Sequence, residues 1–331
     1  MRVTILGDGA MGTACAMLVA SKPEHAVTIW SAFPDQARQM QAERENVKFL
    51  PGVRIPDSVS VTAEIAEAAA GAEFFVAAVP TVYLRKTLAG IRAAVPAGRP
   101  IVSIIKGIEN DTFQRPSQII RDMLGPRPVA VLSGPSHAEE ISRNLPASVV
   151  AASDDLNLAR QVQSLFTTPR FRVYTNPDVL GVELAAALKN VIGIAAGVCD
   201  GLGFGDNAKS ALLTRGLVEI TRFGVALGAQ TETFAGLAGM GDLITTCISR
   251  HGRNRAVGEA LGRGKTLDEI LAGMQAVAEG VWTCRAVTNL AKQRGIDMPI
   301  TQEIHRVLFE GKSALEAVND LMVREPKPER D

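Results

Sequence analysis

The sequence predicts an α/β protein in which a doubly wound parallel sheet of the Rossmann type is followed by an all-α domain. Three observations support this prediction. A glycine-rich turn over residues 7–12 directly follows the first apolar run. Strand-like runs then alternate with helix-like segments as far as Asn176, which is typical of consecutive βαβ units. Beyond Pro177 only helical stretches continue, to Leu321. We therefore expect one domain over residues 1–178 and a helical domain over residues 179–331.

The individual elements are predicted from short runs of matching composition. The strand-like runs are mostly apolar throughout, as expected for strands buried on both faces of a parallel sheet; they are Val3–Leu6, Val27–Trp30, Phe74–Val79, Ile101–Ile105, Val129–Leu132 and Ser148–Ala151. The helices between them are predicted over Thr13–Ser21, Pro34–Glu43, Ala63–Ala70 and Tyr83–Val95. In the second half, Val182 to Cys199 predicts one long, apolar helix.

The composition argues against several classes of function. Lys plus Arg and Asp plus Glu both number 35, so no global basic field favours nucleic acid as a partner. The four cysteines are far apart and form no CxxC pair, so we expect neither a metal site nor a disulfide framework. The chain begins with a strand rather than a secretory signal, and no apolar run approaches the roughly 18–20 residues of a membrane-spanning helix. We expect a cytoplasmic protein; its long apolar helices are compatible with a homodimer.

The three glycines of the first turn predict a dinucleotide site. They form a GxGxxG pattern that follows a strand and opens a helix. In such a unit Gly7 permits the tight turn, Gly9 lets a pyrophosphate approach the backbone, and Gly12 lets the helix pack against the strand. The helix start then offers free N–H groups to the phosphates. A tight turn without a ligand is the alternative.

The end of the second strand leaves the choice between NAD and NADP open. An acidic residue there would hold the ribose 2′-hydroxyl, and an Arg nearby would take a 2′-phosphate. The sequence has Ser31 and Ala32 at this point, and the nearest acid and Arg are Asp35 and Arg38. Ser31 could bond to either form of the ribose. We therefore expect NAD(H) or NADP(H) as cofactor without a stated preference.

Lys189 is a candidate general base because it lies in an almost entirely apolar helix. Between Val182 and Cys199 the polar residues are Glu183, Lys189 and Asn190. Burial of an ammonium group is costly and lowers its pKa toward the working pH, which suits proton transfer. The alternative is a lysine whose ammonium group reaches water at the edge of the helix.

Further polar segments could converge on the same crevice. Lys106 and the segment Ser133–His137 each follow a predicted strand, and ligands bind at the carboxyl ends of such strands. Asp242 and Thr246 are four residues apart and share a face if that stretch is helical. The basic segment over residues 250–255 could bind a phosphate, although a solvated loop would look the same.

Together these residues resemble the bacterial type of NAD(P)-dependent glycerol-3-phosphate dehydrogenase from residue 2 to about residue 320. The matching motifs occur in order along nearly the whole chain: Gly7–Thr13, Asn46–Gly52, Lys106–Glu109, Ser133–Glu140, Leu188–Asn190, Gly201–Ser210, Gly239–Leu243 and Arg253–Arg255. The resemblance implies a helical domain like that of 6-phosphogluconate dehydrogenase. It also implies reversible reduction of dihydroxyacetone phosphate to sn-glycerol 3-phosphate, which supplies glycerophospholipid synthesis.

The resemblance implies roles for individual residues. Lys189 matches the proton acceptor for the substrate hydroxyl, Lys106 a contact to substrate and nicotinamide, and Asn190, Asp242 and Thr246 groups that order the reacting end. The implied substrate-binding residues are Lys106, Gly134, Ser136, Lys189, Asp242, Gly252, Arg253 and Asn254, of which Arg253 and Asn254 match the phosphate clamp. The implied cofactor-binding residues are Gly7, Gly9, Ala10, Met11, Gly12, Ser31, Ala32, Lys106, Ala138, Arg253, Val277 and Glu279.

The chain departs from the family pattern at three places. Ala10 and Met11 stand where Ser and an aromatic residue are usual, and Ser31-Ala32 weakens the case for NADP. Gly252 replaces a frequent Ser; it removes a hydroxyl but keeps the backbone N–H.

Two other functions stay open from the residues. A related reductase acting on a non-phosphorylated hydroxy or keto acid would share the fold and a catalytic lysine, but would not need the phosphate clamp. A non-catalytic NAD sensor would keep the glycine turn but need neither lysine.

Overall fold

The structure, a computed structural model, describes residues 1–249, 251–274, 277–326 and 328–329. Arg250 of the basic segment lies outside the described residues. The strands are β1 (Arg2–Leu6), β2 (Ala26–Trp30), β3 (Glu45–Asn46), β4 (Leu50–Arg54), β5 (Val59–Thr62), β6 (Phe74–Ala77), β7 (Ile101–Ser103), β8 (Val129–Ser133), β9 (Ala147–Ala152) and β10 (Phe171–Asn176).

The helices lie between these strands in the first domain and make up the second domain. They are α1 (Ala10–Ala20), α2 (Pro34–Glu43), α3 (Ile65–Ala69), α4 (Thr81–Ile91), α5 (Pro116–Leu124), α6 (Ala138–Ile141), α7 (Leu156–Phe166), α8 (Val179–Gly201), α9 (Asp206–Ala226), α10 (Thr231–Ala235), α11 (Asp242–Ile248), α12 (Arg253–Gly262), α13 (Leu267–Ala272), α14 (Glu279–Arg294), α15 (Pro299–Phe309) and α16 (Ala314–Met322). A π-helical turn, Leu237–Gly241, leads directly into α11.

Most of the strands form one twisted sheet in the order β10-β9-β8-β7-β6-β1-β2-β5. Its pairs are parallel except β8 and β9, which run antiparallel. The fold class is confirmed, with one antiparallel step that the sequence analysis did not predict. The connection from β8 to β9 carries only the single turn α6 in place of a full crossover helix, so the chain can turn back beside the strand that it leaves.

The predicted strands that differ from the structure do so at their ends or at the edges of the sheet. β6 ends at Ala77 and β7 at Ser103, each two residues before its prediction. The β3–β4 hairpin and the edge strands β5 and β10 were not predicted. In β5 and β10 buried and exposed residues alternate, so neither presents the continuous apolar run that marked the central strands.

Helix α8 corrects the expectation that no apolar run is long enough to cross a membrane. By length and composition α8 passes that test, but 94% of its most apolar window is buried inside the protein. It forms the centre of the second domain's hydrophobic core, where Val191, Ile192 and Ile194 have no more than 1% of their surface exposed. We therefore interpret α8 as a core helix.

Glycines allow α12 to pack against the backbone of α8. A Cβ atom on Gly258 would lie 1.8 Å from the carbonyl oxygen of Ile194, and one on Gly197 would lie 1.9 Å from that of Arg255. No larger residue fits at either position without a shift of one helix. This close approach brings the first turn of α12 alongside the middle of α8.

A buried carboxylate links the two halves of the chain. Glu183 of α8 accepts hydrogen bonds from the backbone N–H and the hydroxyl of Ser117, at 2.8 and 2.7 Å, and pairs with Arg115. The last strand, β10, ends at Asn176, and α8 begins the all-helical part of the chain at Val179. This change from strands to helices supports our proposal that the domain boundary lies at residue 178.

Candidate active site

The glycine turn has the geometry that a dinucleotide phosphate needs. Gly7 has a φ of +118°, and a Cβ atom on Gly12 would lie 2.3 Å from the carbonyl oxygen of Gly7. Around Gly9, in contrast, a Cβ atom would meet nothing within 4 Å. The open side of the turn therefore leads onto the N-terminus of α1, where the first N–H groups lack helical partners. Ala10 and Met11 form the start of that helix.

The β3–β4 hairpin stabilises this turn through hydrogen bonds from Asn46. The side-chain amide of Asn46 donates to the carbonyl oxygen of Asp8 at 2.7 Å and to Oγ1 of Thr13 at 2.8 Å. Asn46 is fully buried in the short β3–β4 hairpin. The hairpin therefore stabilises the glycine turn through these two hydrogen bonds. From the sequence, Asn46 was noticed only as part of a family motif.

The end of β2 differs from the sequence expectation. Ser31 is fully buried, and its hydroxyl donates to Oδ2 of Asp8 at 2.7 Å. This hydroxyl is therefore already engaged inside the protein, while the neighbouring Ala32 is exposed. Asp8, the residue between Gly7 and Gly9, is a charged group at this edge that the sequence reasoning missed. Only the register of β1 and β2 shows this contact, because the pairing of Leu6 with Trp30 brings residues 8 and 31 together.

Lys189 lies deep between the two domains. It is 5% exposed, and its ammonium group donates to the hydroxyl of Thr246 and lies 3.2 Å from Oδ1 of Asp242. Asp242 and Thr246 are both buried and lie one turn apart on α11, as their spacing predicted for a helix. Asn190, the next residue on α8, is also buried.

Lys106 reaches the same carboxylate from the sheet. Its ammonium group lies 2.7 Å from Oδ2 of Asp242 and donates to the carbonyl oxygen of Gly134 at 3.1 Å. One buried carboxylate therefore bridges the two lysines, one from each domain. The strand β7 ends before Lys106, at Ser103, but the chain still carries this side chain past the carboxyl edge of the sheet.

The environment lowers the pKa of Lys189 to about 8. Burial is the largest cause, since an ammonium group loses its hydration there, and the positive charge of Lys106 acts in the same direction. Asp242 opposes both effects by attraction and by hydrogen bonding. Lys189 can therefore both accept and release a proton near neutral pH.

The segment after β8 lines the same crevice. The hydroxyl of Ser136 donates to the carbonyl oxygen of Gly134 at 2.8 Å. Gly134 has a φ of +140°, and a Cβ atom there would lie 2.9 Å from the Cα of Val149. Only glycine fits this position, so its carbonyl is held where Lys106 can reach it. Ala138 begins the short helix α6 immediately afterwards.

His137 was not assigned a role from the sequence. Its Nε2 atom is buried and has no hydrogen-bond partner among the residues that the structure describes, and its ring lies 5.9 Å from that of His251. Burial lowers the pKa of His137, and the charges of Lys189 and Lys106 lower it further. A neutral imidazole is therefore favoured beside the two lysines.

The N-terminus of α12 differs in detail from the expected phosphate clamp. Arg253 is exposed at the first position of this ten-residue helix. The backbone N–H that Gly252 keeps donates to the carbonyl oxygen of Ser249 at 3.2 Å, because the chain turns there into the helix. Oδ1 of Asn254 accepts from the N–H of Gly280 at 3.0 Å, so the side-chain amide nitrogen is the end left for a ligand.

The start of α14 faces the amino-terminal domain. Oε1 of Glu279 accepts a hydrogen bond from the N–H of Thr81, the first residue of α4, at 2.8 Å. Burial raises the pKa of Glu279, while Thr81 and the charge of Arg253 lower it. Val277, partly buried, precedes this helix. Glu279 therefore lies near both α4 and Arg253 at the start of α12.

The described residues contain no cluster of His, Cys, Asp or Glu with the geometry of a metal site. Within the same residues all four cysteines are free and buried. Burial raises the pKa of Cys15 and of Cys247 to about 12, so both thiols are unreactive at neutral pH.

Two family models match the chain, and together they cover most of it. The NAD-dependent glycerol-3-phosphate dehydrogenase N-terminus matches residues 2–159, and the C-terminus of the same family matches residues 178–319. The chain belongs to the NAD-dependent glycerol-3-phosphate dehydrogenase family. The resemblance read from the sequence motifs is therefore confirmed.

Individual proteins agree with this membership. The chain is 50% identical to a glycerol-3-phosphate dehydrogenase [NAD(P)+] from Chlorobium phaeobacteroides, over 99% of each chain. The crystal structure of a glycerol-3-phosphate dehydrogenase from Coxiella burnetii superposes with a TM-score of 0.94 at 35% identity, covering 98% of this chain and 99% of that one. A ketopantoate reductase from Ralstonia eutropha shares the fold alone, with a TM-score of 0.59, 15% identity, and coverage of 97% and 100%.

Proposed function

We propose that this protein is a glycerol-3-phosphate dehydrogenase that reversibly reduces dihydroxyacetone phosphate to sn-glycerol 3-phosphate with NAD(H) or NADP(H). The observation that carries the proposal is the buried cluster of Lys189, Asp242 and Lys106, which joins the two domains at the carboxyl edge of the sheet. Family membership and the relatives' printed activity agree with it.

Lys189 is the proposed acid–base residue. When bound, the dinucleotide supplies the hydride that reduces C2 of the substrate. As negative charge develops on the C2 oxygen, the Lys189 ammonium stabilises it and delivers a proton, which makes the C2 hydroxyl. In the oxidative direction, neutral Lys189 removes that proton. A pKa of about 8 makes both protonation states accessible at neutral pH.

The neighbours of Lys189 are proposed to hold it in position. Asp242 pairs with both lysines, and Thr246 accepts a hydrogen bond from Lys189, so the ammonium group is fixed in direction. Lys106 then lies where it can contact both the substrate and the nicotinamide side. Asn190 is proposed to order the reacting end of the substrate.

The phosphate of the substrate is proposed to bind at the start of α12. A helix N-terminus favours anions, and the guanidinium of Arg253 matches phosphate geometry. Asn254 would contribute its amide nitrogen. Gly252 would contribute no side chain and would only lie next to the phosphate. Gly134 and Ser136 would line the substrate pocket. Binding energy at this remote group can orient C2 for reaction.

The cofactor is proposed to lie across the carboxyl edge of the sheet. The glycine turn with Ala10 and Met11 would hold the pyrophosphate. The adenosine would lie at the end of β2, where Ala32 is exposed and Ser31 is bonded to Asp8. The nicotinamide half would extend past Lys106 toward the residues Ala138, Arg253, Val277 and Glu279. The open space at Gly9 supports this path.

The alternative functions are less well supported. A reductase for non-phosphorylated keto acids would not need a basic helix start beside the lysine cluster, and the ketopantoate reductase shares the fold alone. A sensor without catalysis would not need a lysine with a pKa lowered to about 8.

The proposal also covers the cellular location, the metabolic role and the oligomeric state of the protein. We propose that the enzyme is cytoplasmic and supplies the glycerol phosphate backbone of phospholipids. A homodimer is compatible with the exposed apolar side chains Val218 and Val225 on α9. Light scattering of the purified protein would give the oligomeric state directly.

The test is turnover of dihydroxyacetone phosphate, followed by the loss of absorbance of NADH and of NADPH in parallel. We expect turnover with at least one of the two. Ketopantoate and a small panel of other keto acids serve as controls and should give none. Tight NADH binding without turnover of any substrate would support the sensor instead.

A further inference from the structure

The first two strands bring the glycine turn and the end of β2 to one point. Leu6 and Trp30 pair in register, and the N–H of Gly7 donates to the carbonyl oxygen of Trp30 at 3.0 Å. Asp8 and Ser31 follow immediately at the same edge. In dinucleotide-binding sheets this is where the ribose of the adenosine is held, usually by an acid at the end of the second strand. The second strand here ends without one.

Asp8 places a carboxyl group at that point from the neighbouring strand. It is 6% exposed, and Oδ2 accepts the hydroxyl proton of Ser31 at 2.7 Å. The carbonyl oxygen of Asp8 accepts from Asn46 at 2.7 Å, so the backbone is fixed as well. Among the described residues no other side chain donates to this carboxyl group. Its own backbone N–H also bonds to the carboxyl group, and the small exposed part of the side chain leaves it accessible to a donor from a ligand at the carboxyl edge of the sheet.

The charges around Asp8 favour a ribose hydroxyl over a phosphate. Burial raises the pKa of Asp8, while the bond from Ser31 and the charge of Lys48 lower it. Lys48 is the cation that could instead attract a phosphate. It is exposed, however, and its ammonium group lies over the rings of Phe33 and Phe49, 5.8 and 5.0 Å from their centroids. Solvent screens it, whereas the buried carboxyl group is held in place.

We propose that Asp8 replaces the missing acid of β2, accepts the 2′-hydroxyl of the adenosine ribose, and makes this enzyme select NAD(H) over NADP(H). Ser31 is then a positioning residue that acts through Asp8 rather than a ligand of the ribose. The inference rests on the proposed function for its cofactor class, but it concerns binding and can be tested without turnover.

The first experiment measures the affinities of the unaltered protein for NADH and NADPH by the change in nicotinamide fluorescence. A 2′-phosphate would meet the buried carboxyl group at short range, where charge repulsion is weakly screened. We expect NADPH to bind at least about tenfold more weakly than NADH. Equal affinities, or tighter binding of NADPH, would overturn the proposal.

The second experiment removes the charge and keeps the shape. In Asp8→Asn the ratio of the NADPH to the NADH dissociation constant should fall by at least about tenfold, because the repulsion is lost while one acceptor oxygen remains. Asp35→Asn is the matched control, since Asp35 is the nearest acid after β2 and its side chain is almost fully exposed. In this control the ratio should change by less than about twofold. An unchanged ratio in Asp8→Asn, or an equal change in both variants, would overturn the proposal.

The outcomes separate this inference from the proposed function. If the binding ratio depends on Asp8 but dihydroxyacetone phosphate is not turned over, the selectivity stands and the substrate assignment fails. If turnover occurs with both cofactors at equal efficiency and equal affinity, the substrate assignment stands and Asp8 has no selective role. Circular dichroism checks that Asp8→Asn is folded. If this variant does not fold, the ratio of the NADPH to the NADH dissociation constant in the unaltered protein still tests the inference.

Discussion

The surroundings of Lys189 shift the pKa of its ammonium group in two opposite directions. Burial and Lys106 lower its pKa, and Asp242 raises it. The balance leaves the pKa at about 8, far below the usual value for lysine. Burial and the two neighbouring charges together therefore decide how much of this lysine is protonated at neutral pH.

Replacement of Lys189 by Ala should remove the acid–base group. We expect kcat to fall by about 10²-fold or more in either direction, the scale of acid–base catalysis, with NADH affinity nearly unchanged. Lys292→Ala, which alters an exposed lysine on α14, is the control and should keep wild-type turnover. Steady-state kinetics and NADH titration provide the two readouts; near-normal kcat in Lys189→Ala would exclude this role.

The pH profile should report the same group. Oxidation of glycerol 3-phosphate needs neutral Lys189, so its rate should rise with pH through about 8, whereas reduction needs the ammonium form and should fall above about 8. In Asp242→Asn the carboxylate that raises the pKa is gone, so both profiles should move to lower pH. Asp268→Asn, on the exposed start of α13, should leave them in place. A shift to higher pH in Asp242→Asn would contradict this account.

Arg253 should act on the phosphate of the substrate more than on the cofactor. We expect Arg253→Ala to raise KM for dihydroxyacetone phosphate by about 10²-fold, the value of a charge-assisted bidentate contact, and to change NADH affinity by less than about threefold. Arg263→Ala, at the far end of α12, is the control. Equal losses of substrate and NADH binding would indicate that Arg253 is mainly a cofactor ligand.

At the scale of elements, the contact between α8 and α12 positions the site. Lys189 lies on α8, and the proposed phosphate site lies at the start of α12, so the spacing of the two helices sets the distance between acid–base group and phosphate. That spacing depends on Gly197 and Gly258, where each helix meets the backbone of the other. Replacement of either glycine must push the helices apart.

Gly258→Ala should therefore lower both stability and activity. We expect the free energy of unfolding to fall by about 3 kcal/mol, as in overpacked cores, and kcat/KM for dihydroxyacetone phosphate to fall with it. Gly90→Ala is the control, because Gly90 lies inside α4 with nothing within 4 Å of its Cβ position. That variant should gain up to about 1 kcal/mol. Urea unfolding of both proteins measures the difference, and equal stabilities would show that the helices can separate at no cost.

At the scale of the whole molecule, buried polar contacts hold the two domains around the crevice. Lys106 reaches Asp242 from the sheet, Thr81 reaches Glu279, and Glu183 reaches back to Ser117 and Arg115. The partners of Glu183 are Arg115 and Ser117 and include none of the proposed site residues, so this contact is suited to testing the attachment of the domains.

Glu183→Ala should destabilise the molecule without touching the chemistry. It leaves the Arg115 guanidinium and the Ser117 N–H without their acceptor, which should cost about 3 kcal/mol in the free energy of unfolding. Glu43→Ala, on an exposed face of α2, should cost no more than about 0.5 kcal/mol. Chemical unfolding compares the two, and an equal effect would mean that the Glu183 contact contributes no net stability.

The sequence by itself determined the order of the central strands and the helices between them, the glycine turn and the buried lysine of α8. These depend on local rules: a GxGxxG between a strand and a helix, apolar runs of strand length, and a lysine in an otherwise apolar helix. The edge strands β5 and β10 and the antiparallel step at β9 could not be predicted in the same way. The strands β5 and β10 lack a continuous apolar run because they lie at the edges of the sheet. The direction of β9 depends on its pairing with β8, which local sequence does not show.

The tertiary structure alone decided which partners those residues have. Asp242 bridges two lysines from different domains, Ser31 donates to Asp8 rather than to a ligand, and the N–H of Gly252 is used within the chain. The Asp242 and Ser31 contacts join segments that are distant in sequence. The Gly252 contact depends on the backbone conformation of the turn before α12. The pKa of Lys189 depends on such contacts as well, because burial and neighbouring charge are properties of the folded chain and not of the lysine.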